Sequence, residues 1–235
     1  LDQGDKTYIP IPFYFTNHGY GYYVNSTYYS QFRLATDDDD RCSILVNTGG
    51  EVNTVYDAYL FTGESNQEII KQYTSVVGKP QLPPVWAFGP WISANEWNRQ
   101  EEIEEQIRKT VENDIATSVI VIEAWSDEET FYIFNDAVHT TKNGDYVPKL
   151  EDFTFRGRWP DPKGMVDYAH ENNIKVLLWQ IPVLKNSNTA TLQSKNDQAY
   201  AIKNGFVLKN ESGEAYRMPP GWFGGSLLVD FTSKE

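Results

Sequence analysis

The sequence predicts a mixed α/β protein in which an all-β part precedes an alternation of strands and helices. Residues 8–60 contain short segments rich in Tyr, Phe, Val and Thr, interrupted by Gly and Asn, as is typical of antiparallel strands. After the proline-rich stretch KPQLPP at 79–84, apolar runs alternate with segments of helical period. We therefore expect a β-sandwich segment followed by β/α units.

The composition indicates a globular chain whose partners are neither nucleic acid nor membrane. The 235 residues are 40% hydrophobic, and their formal net charge of -13 at pH 7 repels nucleic acid phosphates and anionic lipids. No run reaches the roughly 18 to 20 apolar residues of a membrane span, so we expect a soluble protein, either cytoplasmic or secreted. With one cysteine, Cys42, and three scattered histidines, the sequence offers no disulfide and no metal site.

Residues 1–64 are interpreted as part of a β-sandwich, and residues 65–84 as a connecting helix and linker. The strand candidates are YIPIPFYF, GYGYYVNSTYY, SQFRLA, CSILVNT and VNTVYDAYLF. Ser65 and Glu68 have the spacing of a reciprocal capping box, and Gly78 follows the last apolar residue of the helical stripe. A helix is thus predicted between Ser65 and Gly78.

Residues 85–235 are interpreted as three β/α units. Strand VWAFGPWI at 85–92 precedes helix RQEEIEEQIRKTVEN, for which Asn98 is the predicted N-cap and Glu101 its reciprocal partner. Strand SVIVIEAW at 118–125 is a continuous apolar run, typical of a parallel sheet buried on both faces. Helix PKGMVDYAHEN, with Asp161 as cap and Pro162 at its first position, leads into strand IKVLLWQIP at 174–182.

Such an alternation fits either a doubly wound sheet or a (β/α)8 barrel. No G-x-G-x-x-G motif follows any of the strands, so a dinucleotide site has no support and we expect no cofactor. The strands end instead in bulky aromatic or polar residues, which in a barrel converge on the face that carries the active site. Because indole faces beside hydrogen-bonding groups suit a sugar ring, a neutral carbohydrate is the expected ligand.

Four segments, in order along the chain, carry a resemblance to a known family. They are PFYFTNHGYGYYVNSTYY, YLFTGESNQEIIKQYTSVVGKPQLPPVWAFGPW, DFTFRGRWPDPKGMVDYAHENNIKVLLWQIP and GFVLKNESGEAYRMPPGWFGGSLLVDFTSKE. Together they resemble glycoside hydrolase family 31, the α-glucosidase and α-xylosidase family, which joins an amino-terminal sandwich to a catalytic barrel. The resemblance implies that residues 85–235 are the first part of a (β/α)8 barrel, truncated before its fourth strand.

The resemblance implies a retaining α-glycosidase that hydrolyses terminal α-linked sugars from oligosaccharides or glycosides. Such enzymes hold two carboxyl groups about 5 to 5.5 Å apart, one acting as nucleophile and the other first as acid and then as base. In the family, both groups come later than the DFT motif, so both are expected beyond Glu235. These 235 residues should then be inactive alone and should need the remainder of the barrel, supplied by the same polypeptide or by another chain.

Five residues are candidates for contact with the sugar. The resemblance implies that Glu123 stands where the family has an aspartate that binds sugar hydroxyls, and that Trp179 matches an indole lining the same subsite. Trp91 and Trp125 are further candidates, and Asn95 lies in the first loop. Each has an alternative: a carboxylate paired with an arginine for Glu123, packing in the core for the tryptophans, and a helix cap for Asn95.

Two other functions stay open from the sequence. The chain could belong to a carbohydrate-binding protein without catalytic activity, whose aromatic strand ends merely hold a glycan. It could also belong to a transglycosylase of the same fold, which transfers the glycosyl group to a sugar hydroxyl instead of to water. Because Glu123 is one methylene longer than the family's aspartate, neither the sugar nor the linkage follows from the sequence.

Overall fold

A computed structural model describes residues 9–36, 38–48, 55–141 and 148–233 of the chain. The chain divides into two compact units, Leu1–Leu82 and Pro83–Glu235. Both helices and strands occur, so the predicted mixed α/β class is confirmed. Among the described residues, no helix combines the length and the apolar character that crossing a membrane requires.

The first unit contains antiparallel strands and one helix. In chain order these are β1 (Phe13–Phe15), β2 (Tyr20–Val24), β3 (Ser30–Leu34), β4 (Cys42–Val46), β5 (Ala58–Thr62) and α1 (Asn66–Val77). Strands β1, β2 and β5 form one sheet in the order β1-β2-β5, whereas β3 and β4 pair separately. Helix α1 packs against β2 and β5.

Helix α1 begins where the sequence predicted it to begin. The Ser65 side chain accepts a hydrogen bond from the Glu68 backbone N–H (3.3 Å), and Gly78 ends the helix. The predicted return bond differs, because the Glu68 carboxylate accepts from the Glu64 N–H rather than from Ser65. Ile69 is fully buried against β2, where Gly21 leaves room for it: a Cβ at Gly21 would lie 2.6 Å from the Ile69 Cγ2.

The second unit contains seven strands, three helices and two short 3-10 turns among the described residues. In chain order the strands and helices are β6 (Trp91–Ala94), α2 (Gln100–Glu112), β7 (Val119–Ile122), β8 (Val138–His139), β9 (Phe153–Thr154), α3 (Pro162–Glu171), β10 (Lys175–Leu178), β11 (Val183–Leu184), α4 (Leu192–Asn204) and β12 (Leu227–Leu228). The predicted β/α alternation is present in β6, α2, β7, α3 and β10.

Strands β6, β7 and β10 form a parallel sheet with β7 in the middle. Their register aligns the last residues of the three strands, Ala94, Ile122 and Leu178. One face of the sheet belongs to a core of buried residues that also includes side chains of α2 and α3. The members of this core are Ala94, Ile103, Ile107, Ile120, Ile122, Trp125, Trp159, Met165, Ala169 and Ile174.

Two predicted boundaries were wrong. The strand predicted at 85–92 begins only at Trp91, because Val85–Phe88 form a 3-10 turn and Gly89-Pro90 follow it. Helix α2 has Arg99, not Asn98, as its N-cap residue. The Asn98 N–H donates to the Glu102 carboxylate (3.2 Å), so neither Asn98 nor Glu101 plays the predicted role.

Helix α4 and the β11–β12 pair were not predicted as such from the sequence. The Thr191 hydroxyl caps α4 by accepting from the Ser194 N–H (3.2 Å), and Gly205 ends the helix in a left-handed conformation. The buried residues of α4 include Gln193 and Ser194. A helix that buries polar side chains lacks the apolar stripe by which amphipathic helices are recognised in a sequence.

The cap of α3 gives a testable prediction for stability. The Asp161 carboxylate accepts from the Gly164 N–H (3.0 Å), as predicted. Asp161→Ala removes this acceptor and should lower the free energy of unfolding by about 1 kcal/mol. Asp161→Asn keeps an acceptor oxygen and should lose much less. Urea unfolding of both variants checks this, and equal losses would show that the cap is not the cause.

Candidate functional site

Three of the five predicted site residues lie at one edge of the parallel sheet. Asn95, Glu123 and Trp179 directly follow the aligned strand ends Ala94, Ile122 and Leu178. Ala94 and Ile122 belong to the helix-packed core, and Leu178 packs against it. Because side chains alternate along a strand, residues one step past these positions point to the opposite face. The register therefore brings an amide, a carboxylate and an indole together at the carboxyl edge.

Glu123 is held by a neighbour on the adjacent strand. The Ser93 hydroxyl of β6 lies 2.9 Å from the Glu123 Oε1 and 2.7 Å from the Asn95 Oδ1, so one serine proton serves two acceptors. Glu123 is half-buried, and no described residue donates to its Oε2. A carboxylate oriented at one oxygen and open at the other can accept hydrogen bonds from ligand hydroxyls.

Trp179 is fixed from two sides. Its backbone N–H donates to the Ile122 carbonyl (3.0 Å), which extends the pairing of β10 with β7. Its carbonyl accepts from the indole N–H of Trp125 (2.8 Å). The Phe131 ring meets the Trp179 indole at 5.6 Å between centroids and 69° between planes. Trp179 itself is only half-buried, which leaves indole surface for a ligand.

The structure does not bring the other two predicted tryptophans into the same position. Trp125 is only 3% exposed and belongs to the core, so it supports Trp179 and presents no open face. Trp91 is the first residue of β6, four residues before Asn95, or about 13 Å along the strand. Its indole N–H donates to the Ala87 carbonyl (3.2 Å), at the amino end of the strand.

Several aromatic residues near Trp179 were missed. Phe131 lies in the loop after β7 and meets the Phe223 ring at 6.1 Å, and Phe223 is stacked on Trp222 at 4.9 Å. We call Trp179, Phe131, Phe223 and Trp222 the aromatic row. Trp222 at its outer end is 79% exposed. The signal in the sequence was the motif PPGWFGG, where an indole stands in a turn-forming segment rather than in a strand.

The loop that follows β7 is organised by local strand pairing. The bridge between Ser126 and Phe134 and the pair β8–β9 organise it. The Asp136 carboxylate accepts hydrogen bonds from the Nε (2.9 Å) and an Nη (3.0 Å) of Arg158, and also from the Arg158 backbone N–H. These hydrogen bonds stabilise the charged carboxylate and lower the pKa of Asp136 from 3.8 to about 2.

The same loop is also attached to α4. The Tyr132 hydroxyl donates to the Asp197 carboxylate (2.9 Å), which also accepts from the Gln193 amide (2.8 Å). Burial raises the pKa of both Tyr132 and Asp197, because removal from water disfavours the charged form of each group. The loop after β7 and helix α4 are thereby joined.

The remaining acidic and histidine residues do not form a metal site among the described residues, where no group of three or more candidate ligands occurs. Asp230 in the DFT segment accepts from the Thr232 N–H (2.9 Å) and hydroxyl (2.7 Å). This is the geometry of an aspartate that begins a turn. The described groups at the edge are suited to binding a hydroxylated ring.

Comparison with known proteins identifies the family. The model of the glycosyl hydrolases family 31 TIM-barrel domain matches residues 80–235. The chain belongs to glycosyl hydrolase family 31. The resemblance found in its sequence motifs is thus confirmed, and the family's domain name agrees with a parallel sheet flanked by helices.

Curated relatives and solved structures of this family match nearly the whole chain. The chain is 46% identical to an isomaltosyltransferase of Sporosarcina globispora over 235 residues, which are 99% of this chain and 22% of the relative. It is 32% identical to a 1,3-alpha-isomaltosidase of Kribbella flavida over 97% of this chain and 31% of the relative. The chain therefore spans between about a fifth and a third of the length of these relatives.

A solved structure of the cycloalternan-forming enzyme from Listeria monocytogenes, in complex with a pentasaccharide substrate, superposes with a TM-score of 0.88 at 41% identity. That match covers 97% of this chain and 22% of the other. The cycloalternan-degrading enzyme from Trueperella pyogenes, in complex with cycloalternan, gives a TM-score of 0.85 at 35% identity over 97% of this chain and 32% of the other.

The Asp136–Arg158 pair makes stability depend on pH. Because the folded pKa of Asp136 lies below the ordinary 3.8, the pair's contribution is complete above about pH 4 and is lost as the pH falls through about 2. The two side chains are 38% and 30% exposed, so water limits the contribution to about 1 kcal/mol or less.

We therefore expect Asp136→Asn to lower the free energy of unfolding at pH 6 and to approach wild type at about pH 2. Urea unfolding at both pH values measures the two differences. Arg158→Gln serves as the matched variant and should show the same trend, because it removes the other half of the pair. A difference that stays constant across this range would mean that the loss at pH 6 does not come from the ionised Asp136–Arg158 pair.

Proposed function

We propose that the whole protein containing this chain is a retaining α-glycosidase that acts on α-linked gluco-oligosaccharides. The observation that carries the proposal is the joint placement of Glu123 and Trp179 at one strand edge, in a chain of family 31. A carboxylate beside an indole face provides both kinds of contact that a sugar ring offers, hydroxyls at its rim and apolar C–H surface on its faces. The acidic net charge suits a neutral substrate of this kind.

We further propose that β6, β7 and β10 are the first three strands of an eight-stranded barrel, and that β1 to β5 belong to a β-sandwich. The parallel register of the three strands and the matched family domain support the first part. A closed barrel of this kind has eight strands. The remainder of the barrel, and with it the nucleophile and the acid/base carboxyl, would come from regions that these 235 residues do not include, so the chain alone would be inactive.

Within this site Glu123 would accept hydrogen bonds from two sugar hydroxyls. The Ser93 hydroxyl holds one oxygen of the carboxylate, so less rotational freedom is lost when the sugar binds. Bonds from hydroxyls to a charged acceptor are stronger than neutral ones and would orient the ring for attack at its anomeric carbon. Asn95, next to Ser93, is placed to add a bond at the same rim.

Trp179 would stack against a face of that sugar, and the aromatic row would extend the binding surface beyond it. Trp222 is 79% exposed although it stacks on Phe223. An exposed indole joined through ring contacts to the inner tryptophan fits a ligand of several sugar units better than a monosaccharide glycoside. The pentasaccharide bound by the Listeria monocytogenes enzyme agrees with a substrate of that size.

A second candidate function is transfer of the glycosyl group to a sugar acceptor. It is favoured by the relative at 46% identity, which is an isomaltosyltransferase. Both reactions share the glycosyl-enzyme intermediate and differ in whether water or a sugar hydroxyl attacks it. Chromatography of the products from an α-gluco-oligosaccharide, with and without added glucose as acceptor, separates the two. Longer products indicate transfer, and shorter ones alone indicate hydrolysis.

The proposed reaction is tested on the whole protein with a panel of nitrophenyl α- and β-glycosides. We expect α-glucosides or α-isomaltosides to be cleaved and β-glycosides to be left intact. Cleavage of β-glycosides alone would contradict the reaction type. Binding of gluco-oligosaccharides without turnover would favour the non-catalytic carbohydrate-binding protein instead.

Glu123→Gln in the whole protein should lower kcat/KM about 100-fold, because two charge-assisted hydrogen bonds to the sugar become weaker neutral ones. Glu101→Gln, on the exposed side of α2, is the matched control and should leave kcat/KM unchanged. Glu123→Asp should alter the relative rates for different α-glycosides, because it withdraws the carboxylate by one methylene. If Glu123→Gln behaves like the control, Glu123 does not contact the substrate.

A further inference from the structure

Phe131, in the loop after β7, has a backbone conformation that aromatic residues rarely adopt. Its φ is 59°, in the left-handed region that favours glycine, asparagine and aspartate. The residue is only 5% exposed, so packing on all sides fixes the ring. Such strained residues persist where their surroundings over-determine them, and they concentrate at functional sites.

The side chain of Asp127 holds the turn that gives Phe131 this conformation. Its Oδ1 accepts from the backbone N–H groups of Glu129 (2.9 Å) and Thr130 (2.8 Å), and its Oδ2 accepts from the Thr130 hydroxyl. The Asp127 carbonyl accepts from the Phe131 N–H (3.3 Å). Four acceptor contacts from one aspartate thus close residues 127–131 into a single tight turn.

The Phe131 ring lies between two members of the aromatic row that come from separate segments of the chain. It meets Trp179 edge to face at 5.6 Å and Phe223 edge to face at 6.1 Å. The Lys185 ammonium lies 5.5 Å from the ring centroid. The Phe131 carbonyl also accepts from the Gln180 amide (3.2 Å), and Gln180 directly follows Trp179.

We propose that Phe131 is a positioning residue of the sugar site: its ring fixes the angle of the Trp179 indole and the separation between Trp179 and Phe223. This inference rests on the proposed function, since the indole angle matters for the sugar that stacks on it. The left-handed conformation directs the Phe131 ring between Trp179 and Phe223, because the same residue with a negative φ would point its side chain in another direction. Asp127 holds the turn that orients Phe131, so it affects the Trp179 indole indirectly.

The test uses Phe131→Leu in the whole protein, with Phe155→Leu as the matched control. Phe155 belongs to the same loop, but its ring contacts among the described residues are with Phe134 and Phe153 and not with Trp179. We expect Phe131→Leu to raise KM for an α-gluco-oligosaccharide about tenfold, which is the effect expected from the loss of one aromatic contact. A purely structural role would lower the amount of active enzyme, and so the apparent kcat, while KM stayed unchanged.

A double-mutant cycle with Trp179→Ala shows whether Phe131 acts through the indole. In the Trp179→Ala background, Phe131→Leu should raise KM by less than about twofold, because the group it positions is already gone. Additive effects, or a KM that matches the Phe155→Leu control, would overturn the inference. If Phe131→Leu does not fold, Asp127→Ala takes its place, because it keeps the ring and removes the turn. An unchanged KM in that variant would equally overturn it.

A ligand-free measurement separates failure of this inference from failure of the proposed function. If the wild-type protein cleaves no α-glycoside, the proposed function fails, and the near-ultraviolet circular dichroism of the tryptophans still reports on Phe131. Phe131→Leu should change this spectrum, and the change should become smaller in the Trp179→Phe background. An equal change in both backgrounds would show that Phe131 does not set the Trp179 indole.

Discussion

The site depends on the alignment of three parallel strands. Hydrogen bonding between β6, β7 and β10 places Ala94, Ile122 and Leu178 at one level, and the next residue of each strand supplies a group of the site. A shift of one residue in any strand would move its site residue to the helix-packed face and expose a core residue instead. Burial of Ala94 and Ile122 against the helices therefore selects the register that assembles Asn95, Glu123 and Trp179.

The sequence was most informative where burial and local hydrogen bonding act together. Apolar runs identified β7 and β10, and the caps at Ser65 and Asp161 lie where their spacing predicted. It was less informative where tertiary contacts decide: the Gln100 N–H donates to the Arg158 carbonyl (2.8 Å), a contact that no local pattern encodes. Helix α4 was missed for a related reason. It buries polar side chains, and its Asp197 accepts hydrogen bonds both from Gln193 one turn away and from the distant Tyr132 hydroxyl.

For the site, the sequence identified residues that end strands but not the groups that hold them. Glu123 and Trp179 were proposed for the site because each follows an apolar run and because the resemblance to family 31 implies a sugar contact for both. Trp125 was a candidate with core packing as its alternative, because composition does not distinguish an indole facing a cleft from one that donates its N–H to a buried carbonyl. Ser93 and Phe131 were missed as supporting groups, because their roles follow from contacts across strands and loops.

The hydrogen bonds and burial around Phe131 are of the right size to offset the free-energy cost of its left-handed backbone. A left-handed non-glycine residue costs on the order of 1 to 3 kcal/mol. The hydrogen bonds that Asp127 accepts contribute about 1 kcal/mol each, and burial of a phenylalanine ring contributes about 2 kcal/mol. Glycine at 131 would remove the strain but also the ring between Trp179 and Phe223. Phenylalanine is therefore favoured at this position only if the contacts of its ring with Trp179 and Phe223 outweigh the backbone strain. The conformation of the loop and the geometry of the site thus depend on each other.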